Sequence, residues 1–159
     1  MFTKINYDGP IQAQYNTLAT QLDALLTGES DQTANLSNAS ALLNAFLSNI
    51  NWVGFYIMKE GELVLGPFQG LPACVRIPVS RGVCGTAVAQ KATIVVEDVH
   101  AFPGHIACDA ASNAEIVIPL IKNDEVIGVL DIDSPIKKRF SKEDQAGLEA
   151  FVDVLMKHI

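Results

Sequence analysis

Long apolar runs are missing from this sequence of 159 residues, and no stretch approaches the ~18 consecutive apolar residues that a membrane-spanning helix needs. The N-terminus, Met-Phe-Thr-Lys-Ile-Asn-Tyr-Asp, also lacks the basic segment and apolar core of a secretory signal. These absences predict no membrane partner and a cytoplasmic location. Positive charge is scarce: 11 Lys and Arg stand against 18 Asp and Glu, a net charge of -7, and the largest basic cluster is Lys137-Lys138-Arg139. Such a surface repels a phosphate backbone, so nucleic acid is not an expected partner. Cysteine is sparse and odd in number, with only Cys74, Cys84 and Cys108. An odd count does not suit a structural disulfide framework, and a reducing compartment would open such bridges. Of Cys74, Cys84, His100, His105 and Cys108, only His105 and Cys108 are close in sequence, and no cysteine pair has structural-zinc spacing. No metal is therefore expected, and His100 and His105 read as loop residues with at most a supporting role.

What is present is an apolar-rich chain, 49% apolar and 18% charged, of a length that buries roughly 70% of its unfolded surface in one domain. The apolar excess beyond what a solvated monomer needs predicts a homodimer interface. One domain over 1–159 is expected. Ile11, Tyr15, Leu18, Leu22, Leu25 and Leu26 recur at helical spacing between Pro10 and Gly28. A second helix starts at the N-cap candidate Asp31 and ends at the break from Ser48 to Asn51. The period then changes to two. Trp52 to Met58 and Glu62 to Phe68 form a hairpin turning at Gly61, Arg76-Ile77-Pro78 is an edge strand, and Thr93 to Val96 is another strand. Between those last two, Val83 to Ala89 forms a short helix. After a loop from Asp98 to Asn113, Glu115 to Ile121 and Val126 to Asp133 pair through an Asn123-Asp124 turn. Ser141 with Asp144 caps a final helix. The order predicts an α+β fold: a central antiparallel sheet, terminal helices on one face, loops on the other.

Three acids stand out. Asp131 and Asp133 are two apart on an apolar strand and share a face, and Glu115 opens the neighbouring strand. Convergence of the three would raise at least one carboxyl pKa, and a bound ammonium would relieve the repulsion. Cys84 at the start of a short helix and Cys108 beside His105 and Asp109 both read as reactive thiolates, with buried packing as the alternative for any cysteine. Trp52 and Tyr56 share a strand face and serve either as core or as the aromatic wall of a small-molecule pocket.

These residues, in their motifs, resemble the free methionine-(R)-sulfoxide reductases, small GAF-domain enzymes. The resemblance covers nearly the whole chain: Asn-Trp-Val-Gly-Phe-Tyr at 51–56, Gly-Pro-Phe-Gln-Gly at 66–70, Ala-Cys at 73–74, and Gly-Val-Cys-Gly-Thr-Ala at 82–87. It continues through His-Ile-Ala-Cys-Asp at 105–109, Ser-Asn-Ala-Glu-Ile-Val at 112–117 and Gly-Val-Leu-Asp-Ile-Asp-Ser at 128–134. The resemblance implies a single GAF domain that reduces free L-methionine (R)-S-oxide to L-methionine. It implies Cys108 as the nucleophile that becomes a sulfenic acid, Cys74 as the main resolving cysteine, and Cys84 as a pocket residue able to form an alternative disulfide. It implies that Glu115, Asp131 and Asp133 hold the substrate ammonium and help protonate the sulfoxide oxygen, that Trp52 and Tyr56 enclose the methyl-sulfur end, and that thioredoxin reduces the disulfide. The competing expectation is a GAF module that binds a small ligand or senses redox state without turnover.

Overall fold

Pro10, which cannot continue a helix backwards, precedes the first helix of a computed structural model that describes residues 2–159. Helix α1 (Ile11–Leu26) buries Tyr15, Leu18, Leu22 and Leu26 along one stripe, and Gly28 follows in the left-handed region at φ 91°. Helix α2 (Gln32–Phe46) starts where the Asp31 carboxylate accepts the Ala34 N–H at 2.8 Å. Strands β1 (Trp52–Lys59) and β2 (Glu62–Gly70) turn at Glu60-Gly61, both at positive φ, as a two-residue hairpin requires. The short β3 (Arg76–Pro78) pairs with β2 at the sheet edge, where its proline is tolerated. Helix α3 (Gly82–Gln90), β4 (Ile94–Val96) and a 3-10 turn (Val99–Ala101) lead to β5 (Ala114–Lys122) and β6 (Glu125–Ser134). The β5–β6 turn uses Asn123 and Asp124, again both at positive φ. Helix α4 (Lys142–Leu155) begins with a reciprocal Ser141–Asp144 capping box.

All six strands are antiparallel, in the order β3-β2-β1-β6-β5-β4. The period-two pattern sorts the side chains into two layers. Val53, Phe55, Ile116, Ile118, Leu130 and Ile132 face α1, α2 and α4 in the larger core. Trp52, Tyr56, Val117 and Val129 face the other way, toward α3 and the loops. The expected two-sided arrangement is thus observed, with α3 joining the loops on the second face because Val83, Ala87 and Val88 supply an apolar surface there. Among the described residues, no helix is long and apolar enough to cross a membrane.

The joint between α1 and α4 is tight. Tyr15 donates its hydroxyl to Asp144 Oδ1 at 2.7 Å, while Asp144 Oδ2 accepts the Ser141 N–H at 2.9 Å and pairs with Arg139 at 3.2 Å. The ring of Tyr15 lies directly over Gly147, and a Cβ there would overlap three of its carbons. Alanine at this position recovers up to ~1 kcal/mol of helix propensity, yet overpacking a rigid ring costs ~1–3 kcal/mol or more. Gly147→Ala should therefore lower stability by about 1–2 kcal/mol, seen as a lower urea midpoint at unchanged slope.

Candidate active site

The strand register alone brings the three acids together. Trp52 lies opposite Asp133, Asp133 opposite Glu115, and Glu115 opposite Val96, so one row of side chains crosses β1, β6, β5 and β4 on a single face. Asp131, two residues back along β6, projects from the same face opposite Gly54 on one side and Val117 on the other. Tyr56 follows one row further along β1. Gly54 has a local purpose: a Cβ there would overlap the Cβ of Phe68, which leans in to stack on Trp52 with ring centroids 5.2 Å apart and 16° between planes. Trp52 also stacks on Tyr56 at 5.9 Å. Both aromatics are buried and both line the pocket, so core and pocket wall turn out to be one role.

The pocket has an empty volume of about 530 Å³, counting the space at its open mouth, and contains every residue expected at the site: Trp52, Tyr56, Cys84, Cys108, Glu115, Asp131 and Asp133, with Cys74 bridged to Cys108 at its edge. Glu115 and Asp131 are each 6% exposed. Burial, and then the charge of Asp133, push the Glu115 carboxyl up to about 8, against a partial opposing effect of its hydrogen bond with Asp131. Burial first, and neighbouring carboxylates second, raise Asp131 and Asp133 well above the ordinary range. Among the described residues, no Lys or Arg forms an ion pair with any of the three. The nearest base is His105, whose Nε2 is 3.6 Å from Glu115 Oε2, and burial lowers its own pKa, which favours the neutral ring. Asp131 Oδ1 is buried without a hydrogen-bond partner. Arg81 also lines the pocket but forms no ion pair with the three acids, so the pocket holds a cluster of acids without a paired cation, built to receive protons or a cation.

Cys74 and Cys108, 34 residues apart, are joined in a disulfide with Cα atoms 5.6 Å apart. Two loops meet there, and the start of β1 secures both. Trp52 Nε1 donates to the Leu71 carbonyl at 3.1 Å and Tyr56 donates its hydroxyl to the Cys74 carbonyl at 2.9 Å. On the other side Asn51 Nδ2 donates to Asp109 Oδ2 at 3.0 Å and to Ser112 Oγ at 3.1 Å.

One expectation is overturned. Cys84 reads in the sequence as a reactive thiolate at a helix N-terminus, but it is 2% exposed, and burial, followed by the charges of Asp131, Glu115 and Asp133, pushes its thiol well above the usual value. The partial charge of the helix end does not outweigh full desolvation beside three acids. Cys84 is a free, protonated thiol in the pocket wall. His105 is also more than a loop residue, because it reaches Glu115, whereas His100 turns away to Asn113 Oδ1 at 3.2 Å. The sequence does not mark Asn51, Asp109 and Ser112 as site residues, since short polar side chains at strand and loop ends are common; their hydrogen bonds become visible only in the fold. The donor atoms of Cys84, Glu115 and Asp131 lie within 4.8 Å of one another, a cluster assembled from three separate elements that linear cysteine and histidine spacing cannot show.

Comparison with known proteins agrees with this geometry. The GAF domain pattern matches residues 21–159. The free methionine-R-sulfoxide reductase of Escherichia coli is 57% identical over 143 residues, which is 90% of this chain and 87% of that protein. The reduced form of fRMsr of Staphylococcus aureus is 54% identical and superposes with a TM-score of 0.89 over 99% of both chains. The free methionine-R-sulfoxide reductase of Neisseria meningitidis in complex with its substrate is 41% identical, with a TM-score of 0.94 over 99% of this chain and 95% of that one. A chain with this fold, these cysteines and these acids, and with such relatives, belongs to the GAF-domain family of free methionine-R-sulfoxide reductases.

Proposed function

We propose that this protein reduces free L-methionine (R)-S-oxide to L-methionine by thiol chemistry. The observation that carries the reading is a Cys74–Cys108 disulfide at the edge of a pocket floored by the buried carboxylates of Glu115 and Asp131 and the half-buried one of Asp133, with no Lys or Arg ion-paired to them among the described residues. In the first step the Cys108 sulfur attacks the sulfoxide sulfur, the S–O bond of the substrate breaks, and the oxygen passes to Cys108. Methionine leaves and Cys108 becomes a sulfenic acid; the substrate gains the two electrons that Cys108 loses. Glu115, with its carboxyl held at about 8, is protonated at neutral pH and protonates the sulfoxide oxygen as the bond weakens. Cys74 then condenses with the sulfenic acid, releasing water and forming the disulfide. An external dithiol, a thioredoxin in our reading, takes over that disulfide by exchange and restores both thiols. Cys84 stays buried in the wall, where it serves only as an alternative to Cys74.

Asp131 and Asp133, with Glu115, receive the substrate ammonium. Each close contact is worth on the order of 4 kcal/mol at an intermediate dielectric, before the desolvation cost is subtracted. The stacked Trp52 and Tyr56 enclose the methyl-sulfur end. A methionine sulfoxide inside a polypeptide has no ammonium and would leave the buried acids unpaired, which explains a preference for the free amino acid.

With racemic free methionine sulfoxide and a thioredoxin system, half of the substrate should be consumed; no consumption would favour a ligand-binding or redox-sensing GAF module. Cys108→Ser should abolish even single-turnover methionine release, while Cys74→Ser should release one equivalent and then stall. If Cys108→Ser still releases methionine, the nucleophile is misassigned. Acetylating the amine of the substrate should lower kcat/KM by at least ~100-fold, since it removes the group that pairs with the acids. The pH dependence of stability tests Glu115 separately. Its folded pKa of about 8 lies above its ordinary 4.5, so its contribution is full below 4.5 and is lost as pH rises through about 8. The urea midpoint of the ligand-free protein should fall between about pH 5 and about pH 9, and Glu115→Gln should make that fall smaller. An equal fall in both proteins would mean that Glu115 is not a buried neutral acid.

A further inference from the structure

Cys84 is the pocket's one nucleophilic atom for which the proposed turnover has no primary task, and its surroundings give it another. The Cys84 sulfur, a Glu115 oxygen and an Asp131 oxygen come from α3, β5 and β6, all three residues are buried, and the donor atoms lie within 4.8 Å of one another. Asp131 Oδ1, on a side chain more than nine-tenths buried, has no hydrogen-bond partner and faces this space. We propose that Cys84, Glu115 and Asp131 form a binding site for a thiophilic divalent cation, Zn2+ above others, which excludes the amino-acid ligand from the pocket.

The donor set selects the ion. On binding, Cys84, Glu115 and Asp131 release to solvent the protons they hold in the free protein, and the resulting thiolate and two carboxylates supply three anionic ligands, with water as the fourth, the number and kind that Zn2+ accepts in open tetrahedral sites. Mg2+ and Ca2+ need six or more oxygens and gain little from sulfur, so the wall residue that makes the site attractive to Zn2+ makes it poor for them. An ammonium and a metal ion compete here on different terms. The ammonium donates hydrogen bonds to the carboxylates but draws nothing from the thiol, whereas the metal uses all three groups at once. The site is inhibitory rather than catalytic, because the same carboxylates cannot serve both ligands.

The metal-binding part of this inference stands without the reductase reading; only the competition rests on it. The oxidised protein gives a clean test, because with Cys74 and Cys108 bridged, Cys84 is the only free thiol. Adding Co2+, a spectroscopic substitute for Zn2+, to oxidised protein should produce a thiolate-to-cobalt charge-transfer band that saturates at one equivalent and is displaced by Zn2+. Cys84→Ser should abolish the band, and Asp131→Asn should keep the band while weakening Co2+ binding by about 10–100-fold. With free Co2+ held constant by a metal buffer, saturating free methionine should reduce the band. No band in the wild-type protein, or an unchanged band in Cys84→Ser, overturns the site. A band that methionine leaves unchanged overturns the competition. Failure of the reductase reading shows elsewhere, as absent turnover in chelator-treated buffer.

Discussion

Three carboxylates on one face of an antiparallel sheet, Glu115 and Asp131 buried and Asp133 half-buried, without a cationic partner from Lys or Arg among the described residues, set the terms for this molecule. Isolated ionised carboxylates are costly in such a place, and the protein responds by holding protons: burial leads among the causes that raise all three. The acids then account for their neighbours. Cys84, beside them, cannot readily become a thiolate, and Tyr56, on the adjacent strand, is likewise pushed to favour its neutral hydroxyl. The chemistry of the pocket is thus divided between a proton-rich floor and a sulfur pair at the edge.

The opposite face of the sheet makes this division affordable in structural terms. Val53, Phe55, Ile116, Ile118, Leu130 and Ile132 alternate with the site residues along the same strands and are covered by α1, α2 and α4. The site-bearing strands are therefore anchored by an apolar layer that takes no part in the chemistry, and a one-residue slip in register would exchange acids for aliphatics. The turns at Glu60-Gly61 and Asn123-Asp124 start the two hairpins, and a one-residue shift in each, between Gly54 and Tyr56 and between Leu120 and Ile121, sets the register at the site.

Much of this was legible in the sequence because it follows from periods. The spacing of two between Asp131 and Asp133 places both on one face, but the Asn123-Asp124 turn alone would set Glu115 opposite Ile132; a one-residue shift in pairing between Leu120 and Ile121, which no local rule marks in the sequence, brings it opposite Asp133. The helices and their caps at Asp31 and Ser141 follow local rules. What escaped depends on distance in three dimensions. A helix N-terminus at Cys84 suggests an activated thiol until the depth of the helix and the three acids beside it are known. The reach of His105 to Glu115, the grip of Asn51 on Asp109 and Ser112, and the metal-competent grouping of Cys84, Glu115 and Asp131 join elements far apart in the chain. The pairing of Cys74 with Cys108 came from family resemblance and not from spacing.

The hydrogen bond from Tyr56 ends on the backbone carbonyl of Cys74 and not on its sulfur. Opening the disulfide changes the sulfur and leaves that carbonyl in place, so the anchor does not depend on the oxidation state of the cysteine. The freed thiol accordingly stays tethered beside its former partner at a high effective concentration, in contrast to a thiol on an unsecured loop. In the proposed cycle, ring closure after each oxidation is then a short local motion, which shortens the time a sulfenic acid on Cys108 stays open to a second oxidant.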